Sequence, residues 1–281
     1  MTTITIPQNA FDALKGKTVI ITGGRSGIGE ATVHLLAQHG ANVVYGDIGP
    51  GSFDHANVHF KQTDVTKFSH LQELFKFTHD KFGPVDIVLA NAGIHEEEDW
   101  NDEAWLDSPR GTKMVDVNYT GVVYTLKQAL LSFKRSGKRG SVVITGSASS
   151  YLDSSPVCIY GGTKHGVLGL MRSTKTVMGP VARINVIAPW MVKTGLPGEG
   201  ILKMWGDLPL NTAEGVAKAI LYAAVEESFH GKGFWVGGDG IIECEDAIER
   251  LRPEWLTSEQ SDGVQQGWER LSKPRIMTFN K

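Results

Sequence analysis

Cysteine is scarce: Cys158 and Cys244 are the only two in 281 residues, too few for a disulfide framework and without metal-ligand spacing. Both are expected to be buried thiols in a reducing compartment, with no metal site. Long apolar runs are missing too. Nothing approaches the roughly 20 residues that cross a bilayer, and the N-terminal Met1-Thr2-Thr3-Ile4-Thr5-Ile6-Pro7 has no basic stretch leading into an apolar one. A cytoplasmic protein is expected. Nor does one sign of charge dominate: 28 basic residues are scattered among 31 acidic ones, for a net charge of −3. Nucleic acid and anionic membranes therefore gain no support as partners. No repeat, linker or low-complexity stretch divides the chain, so residues 1–281 are expected to form one domain.

What is present is alternation. Short apolar runs predict strands at 18–21, 42–45, 59–62, 86–90, 141–145, 183–188 and 233–236. Several are apolar throughout, which marks parallel strands covered on both faces. Amphipathic segments predict helices at 27–39, 69–82, 111–136, 156–177 and 211–225. Gly40 and Gly83 sit at helix stops, and Asn211 with Glu214 reads as a capping box. The expected fold is α/β, a doubly wound sheet of about seven parallel strands with helices on both faces. Two regions break the rhythm. Residues 195–210 combine Gly and Pro with bulky apolar side chains, as a lid over a pocket does. Residues 245–281, with Trp255 and Trp268, read as a C-terminal extension packed near that lid or forming an oligomer contact.

The turn Thr22-Gly23-Gly24-Arg25-Ser26-Gly27-Ile28-Gly29 follows the first apolar run. Glycines at a strand-to-helix turn let the backbone approach a diphosphate, and the helix N-terminus offers free N–H groups and a partial positive charge. Gly23, Arg25, Ser26, Gly27, Ile28 and Gly29 are thus candidate nucleotide contacts. About 20 residues on, Asp47 is placed to accept both adenosine ribose hydroxyls and to repel a 2′-phosphate. With Ile48 beside it, Asp47 favours NAD over NADP, and Arg25 is the counterargument. Asp64 can bond the adenine amino group with Val65 against the ring. Asn91, Ala92 and Gly93 offer small residues where the backbone passes the nicotinamide ribose.

Further along, Lys164 lies one helical turn after Tyr160, and Ser147 precedes both. Tyrosine titrates near pKa ~10 in water, so a phenol that takes an alcohol proton needs a neighbouring cation. The motifs at 22–29, Asp64, 91–93, Asn118, Ser147, Tyr160-Gly161-Gly162-Thr163-Lys164 and Arg183-Ile184-Asn185-Val186-Ile187-Ala188-Pro189 come in an order that resembles the short-chain dehydrogenase/reductase family, over about 15–240. The resemblance implies a single Rossmann domain, a homodimer or homotetramer built through two long helices, and hydride transfer between NAD(H) and an alcohol or ketone. It implies Tyr160 as acid/base, Lys164 as the cation that favours the phenolate and holds the nicotinamide ribose, and Ser147 as donor to the substrate oxygen. Asn118 is implied to interrupt its helix and hold a water, while Pro189, Val192 and Thr194 meet the nicotinamide end.

One departure stands out: Trp190 follows Pro189 where the family usually has Gly. The substrate-pocket candidates His95, Ser149, Tyr151, Trp190, Met191, Leu196, Met204 and Trp205 are mainly apolar and aromatic, which favours a small hydrophobic secondary alcohol or ketone. The run Glu96-Glu97-Glu98-Asp99 is expected to be a solvated face. With Asp47, the hydrophobic lid and the extended tail, the chain is similar to the NAD-dependent hydroxy-lipid dehydrogenases of the family, the 15-hydroxyprostaglandin dehydrogenase subgroup. Two other readings remain: a family member of secondary metabolism that adds isomerisation, dehydration or cyclisation, and a redox-inactive NAD(H) sensor.

Overall fold

Strands form where the chain is apolar on both faces, and helices form where it is apolar on one. The structure, a computed structural model, describes residues 2–272. The chain begins with β1 (Thr2–Ile4), β2 (Thr18–Thr22), α1 (Gly27–Gln38), β3 (Asn42–Asp47), β4 (Val58–Gln62), α2 (Phe68–Phe82) and β5 (Ile87–Ala90). Two short helices, α3 (Glu103–Leu106) and α4 (Thr112–Val115), lead through a π-helical turn at Asp116–Thr120 into α5 (Gly121–Ser136). There follow β6 (Gly140–Thr145), α6 (Cys158–Met178), β7 (Ala182–Pro189), α7 (Gly198–Trp205), α8 (Ala213–Val225), β8 (Gly233–Gly237), β9 (Gly240–Glu243), α9 (Glu245–Trp255) and α10 (Ser258–Ser272).

Among the described residues, nine strands join one sheet in the order β1-β9-β8-β7-β6-β5-β2-β3-β4. The seven strands expected from the sequence are the parallel ones, β4 through β8 across the sheet. The two additional strands, β9 and β1, pair antiparallel at one edge. They are three or four residues long and partly exposed, so they carry little of the apolar signal that marks a covered strand.

Successive strand residues feed opposite layers, as the two-residue period requires. Val19, Ile21, Val43, Tyr45 and Leu89 pack with α1 and α8 on one face. Ile20, Val44, Val88, Val142 and Ile144 pack with α2, α5 and α6 on the other. From β2 the chain goes on to β3 and β4 on one side, while β5, which also pairs β2, leads to β6 on the other. Such a switch point opens a crevice at the carboxyl ends of the strands. The site lies there.

Two local expectations change. Helix α8 is capped by Thr212, whose hydroxyl accepts from the Gly215 N–H at 2.8 Å. Asn211 is buried instead, because the end of β8 recruits its side chain: its amide donates to the Val236 carbonyl at 2.8 Å and accepts from the Asp239 N–H at 2.8 Å. The thiols are not sequestered. Cys158 is exposed on the first turn of α6, and Cys244 is half-buried beside the start of α9. The tail holds α9 and α10 through Ser272, with Trp255 and Trp268 exposed; the remaining residues of the expected extension lie outside those described. Among the described residues no helix is long and apolar enough to cross a membrane.

Candidate active site

A cavity of about 1510 Å³ opens at the switch point, and the glycine turn forms its floor. Gly23 has φ 69°, and a Cβ there would stand 2.7 Å from the Ala92 Cα; a Cβ on Gly29 would run into the Gly23 carbonyl. The turn and the 91–93 segment are therefore packed backbone to backbone, a cradle that side chains would fill. Asn91 joins the pieces. Its amide donates to the carbonyls of Gly23 at 2.9 Å and Thr22 at 3.2 Å, and its oxygen accepts from the Thr145 hydroxyl at 3.0 Å. That leaves Ala92 and Gly93 facing the cavity with the exposed N-terminus of α1.

Asp47 stands at the end of β3, on the cavity edge. Its carboxylate accepts from the N–H groups of Arg25 at 3.1 Å and Ile48 at 2.8 Å, with the Arg25 guanidinium 4.0 Å away. The acid and the arginine weighed against each other in the sequence thus form one pair. Asp64 accepts from the Thr66 N–H and hydroxyl at 3.0 and 2.7 Å. Burial pushes its carboxyl up, but these bonds, with Lys67 and His70 nearby, hold it below its ordinary value.

Across the cavity, α6 presents Tyr160 and Lys164, one turn apart on one face. Lys164 is buried, donates to the Thr145 carbonyl at 3.0 Å and lies 5.5 Å from the centre of the Tyr160 ring. Burial lowers its pKa to about 8. Burial likewise raises the Tyr160 phenol, and a hydrogen bond with Ser147 pulls partly the other way. Low polarity around the pair thus opposes both charges. Ser147 begins a 3-10 turn at Ala148–Ser150. Its hydroxyl accepts from the Ser149 N–H at 3.2 Å, and the Ser150 hydroxyl donates to the Lys164 carbonyl at 2.8 Å. Ser147, Tyr160 and Lys164, three of the four residues expected to be catalytic, line the cavity together.

Asn118 sits beneath the cavity, 1% exposed, within the π-helical turn. The interruption expected at this residue is therefore present. Its amide donates to the Ile94 carbonyl at 2.9 Å and accepts from the Ile94 N–H at 2.8 Å, which fixes the loop after β5.

His95, Ser149, Trp190, Met191, Leu196, Met204 and Trp205 all line the cavity, as do Ser26, Ile28, Ile48, Val65, Pro189, Val192 and Thr194. The ring of His95 stands edge-on to Tyr160, with centroids 5.5 Å apart. Trp190 is packed between Trp235 at 5.0 Å and Trp205 at 5.8 Å, so it links the sheet to α7. Tyr151 is the exception among the pocket candidates. It packs against the core and donates to Glu245 at 2.8 Å, drawn away from the cavity by that carboxylate and its Arg172 partner. Nor is the acidic run wholly solvated: Glu98 is half-buried and accepts from the N–H groups of Ile159 and Tyr160. Among the lining residues that the sequence did not single out are Lys113, Asp116, Ser154, Ser155 and Pro156. The last three were findable, since they lie between Ser147 and Tyr160 in the chain.

The model of the short chain dehydrogenase family matches residues 17–200. A short-chain dehydrogenase/reductase of Penicillium roqueforti is 32% identical over 289 aligned positions, which cover 93% of this chain and 87% of the relative. Short-chain dehydrogenase reductase 5 of Arabidopsis thaliana is 34% identical, over 81% of this chain and 94% of its own. Among solved structures, ligand-free aldohexose dehydrogenase of Thermoplasma acidophilum superposes with a TM-score of 0.73 at 25% identity, covering 82% of this chain and 95% of that one. A 3-ketoacyl-(acyl-carrier-protein) reductase of Brucella melitensis complexed with NADH shares the fold, with a TM-score of 0.71 at 23% identity over 80% of this chain and 98% of its own. With a glycine cradle and a Ser147, Tyr160 and Lys164 unit facing one cavity, and with relatives matched over nearly its whole length, this chain belongs to the short-chain dehydrogenase/reductase family of oxidoreductases.

Proposed function

We propose that the protein transfers a hydride between NAD(H) and a hydrophobic secondary alcohol or ketone, with Tyr160 as the group that moves the proton. One observation carries the reading: Tyr160, Lys164 and Ser147 open into the same cavity as the glycine cradle and Asp47. The cradle at 23–29 fits a diphosphate, Asp47 an unphosphorylated ribose, and the 91–93 backbone the nicotinamide end. When bound, NAD(H) supplies the hydride acceptor or donor. The chain's own part is position and proton traffic. Ser147 donates a hydrogen bond to the substrate oxygen. In oxidation the Tyr160 phenolate takes the hydroxyl proton, and in reduction the phenol returns it. Lys164 in its ammonium form holds the phenolate and reaches the nicotinamide ribose.

The substrate class follows from the walls. Trp190, Met191, Leu196, Ile201, Met204 and Trp205 give one side an apolar, aromatic surface, suited to a hydrophobic body with one oxygen at Ser147. A homodimer or homotetramer belongs to the same proposal. Purified protein is to be offered hydrophobic secondary alcohols and ketones, with an aldohexose as the contrasting probe, each with NAD(H) and with NADP(H). The expected result is turnover of the hydrophobic compounds with at least tenfold preference for NAD(H). A strong preference for NADP(H) contradicts the role of Asp47, and turnover of the aldohexose alone contradicts the substrate class.

A further inference from the structure

The acidic run at 96–99 is the sequence motif that hydride transfer leaves unused, yet one of its members touches the catalytic helix. Helix α6 begins at Cys158, and its N-cap, Val157, has no side chain that can accept a hydrogen bond. The first turn of a helix leaves N–H groups without intrahelical partners. Here the N–H groups of Cys158 and Gly161 find the carbonyls of Pro156 at 3.0 Å and Val157 at 2.8 Å. The two between them find Glu98. Ile159 donates to both carboxylate oxygens, at 3.0 and 2.9 Å, and Tyr160 donates to one at 3.1 Å. Trp100 Nε1 donates to the other oxygen at 2.9 Å, with its ring 5.2 Å from that of Trp105. The carboxylate is thus gripped from two sides.

The loop that carries Glu98 leaves β5 and supplies the cavity wall from Asn91 to His95. It is pinned first at Ile94, by Asn118, and again at Glu98, by α6. Between these two pins the His95 ring meets the ring of Tyr160. We propose that Glu98 is a positioning residue for Tyr160: its carboxylate, brought in by the loop after β5, caps the first turn of α6 and holds the phenol's backbone against the cofactor-side wall. The proposal rests on Tyr160 being the acid/base group. It adds an electrostatic consequence that a purely mechanical cap lacks. A carboxylate at a helix N-terminus cancels the partial positive charge there. Tyr160 is faced by Lys164 from its own helix, Ser147 from the end of β6, His95 from the loop after β5, and the Glu98 carboxylate at its own N–H. Removing the Glu98 charge leaves the helix end positive and favours the phenolate.

The test is an ultraviolet difference titration of Tyr160, each protein read against its own Tyr160→Phe counterpart, in wild type, Glu98→Gln, Glu98→Ala and the exposed neighbour Glu97→Ala. Both Glu98 variants are expected to titrate about half a pH unit lower, the size of a helix-end charge effect, while Glu97→Ala matches wild type. On the fastest substrate of the panel, Glu98→Ala is expected to lose about tenfold in kcat, as small displacements of a reacting group do, with little change in KM for the nucleotide. Glu98→Gln keeps an acceptor for the helix N–H groups and should retain most of kcat; it also carries the test should Glu98→Ala not fold. Titration of both Glu98 variants at the wild-type midpoint overturns the proposal. A shifted midpoint in a protein that turns over no alcohol or ketone leaves Glu98 in place and removes the hydride-transfer reading instead.

Discussion

Lys164, 5% exposed in the cavity wall, donates to the Thr145 carbonyl. Burial lowers the Lys164 pKa from its ordinary 10.5 to about 8. The sign of its effect on stability follows. Below about pH 8 both folded and unfolded chains hold the proton, and the folded chain bears the full penalty of a buried ammonium. Between about 8 and 10.5 the unfolded chain binds more protons, so the contribution of this group to stability improves as pH rises. Lys164→Met removes the penalty at the cost of one hydrogen bond. It is expected to unfold in urea at pH 7 with about 1–2 kcal/mol more stability than wild type, while losing turnover. That gain should fade by pH 10.5; one that does not change with pH speaks against a buried ammonium as its source. The residue was legible in the sequence from its spacing to Tyr160. Its discomfort was not, because burial is a property of the packed helix and sheet.

Among the elements, the loop between β7 and α7 depends on its anchoring more than on its own residues. Asn211 takes the Lys193 N–H at 3.0 Å through its carbonyl and gives its own N–H to Met191 at 2.9 Å, while its side chain bridges Val236 and Asp239. It thereby fastens the stretch containing Val192 and Thr194, which lines the cavity, to the tip of β8. Asn211→Ala leaves the backbone pairs, the Trp190 N–H on the Val236 carbonyl among them, but removes both side-chain hydrogen bonds of a buried residue. The expected result is a loss of about 2 kcal/mol in chemical denaturation and a several-fold weaker NADH affinity by fluorescence titration. Unchanged affinity would separate this clamp from the site. The sequence pointed to a cap at Asn211 because Asn and Glu three apart imitate one. Thr212 takes the role because Asn211 is claimed by a partner 25 residues away, a contact that local patterning cannot show. The parallel strands and most helix limits were readable for the opposite reason: their signal is periodic burial along the segment itself.

Across the whole molecule, the fold brings distant motifs to one edge of the sheet, and this is where the sequence was most informative. The glycine turn, Asp47, the 91–93 segment, Ser147 and the Tyr160–Lys164 pair were each legible, because each needs particular residue types at a particular strand end. What connects them was not. Glu98 reads as a surface acid until α6 is folded against it, and Tyr151 reads as a pocket residue until Glu245 and Arg172 draw it away. The central claim is that a single phenol moves the proton while the rest of the cavity binds the nucleotide. The direct measurement is single-turnover oxidation by Tyr160→Phe, followed at the absorbance of NADH, beside its affinity for NADH. The account predicts affinity within about twofold of wild type and a rate lower by at least 100-fold, the scale of general acid–base catalysis. Wild-type turnover by Tyr160→Phe would contradict it.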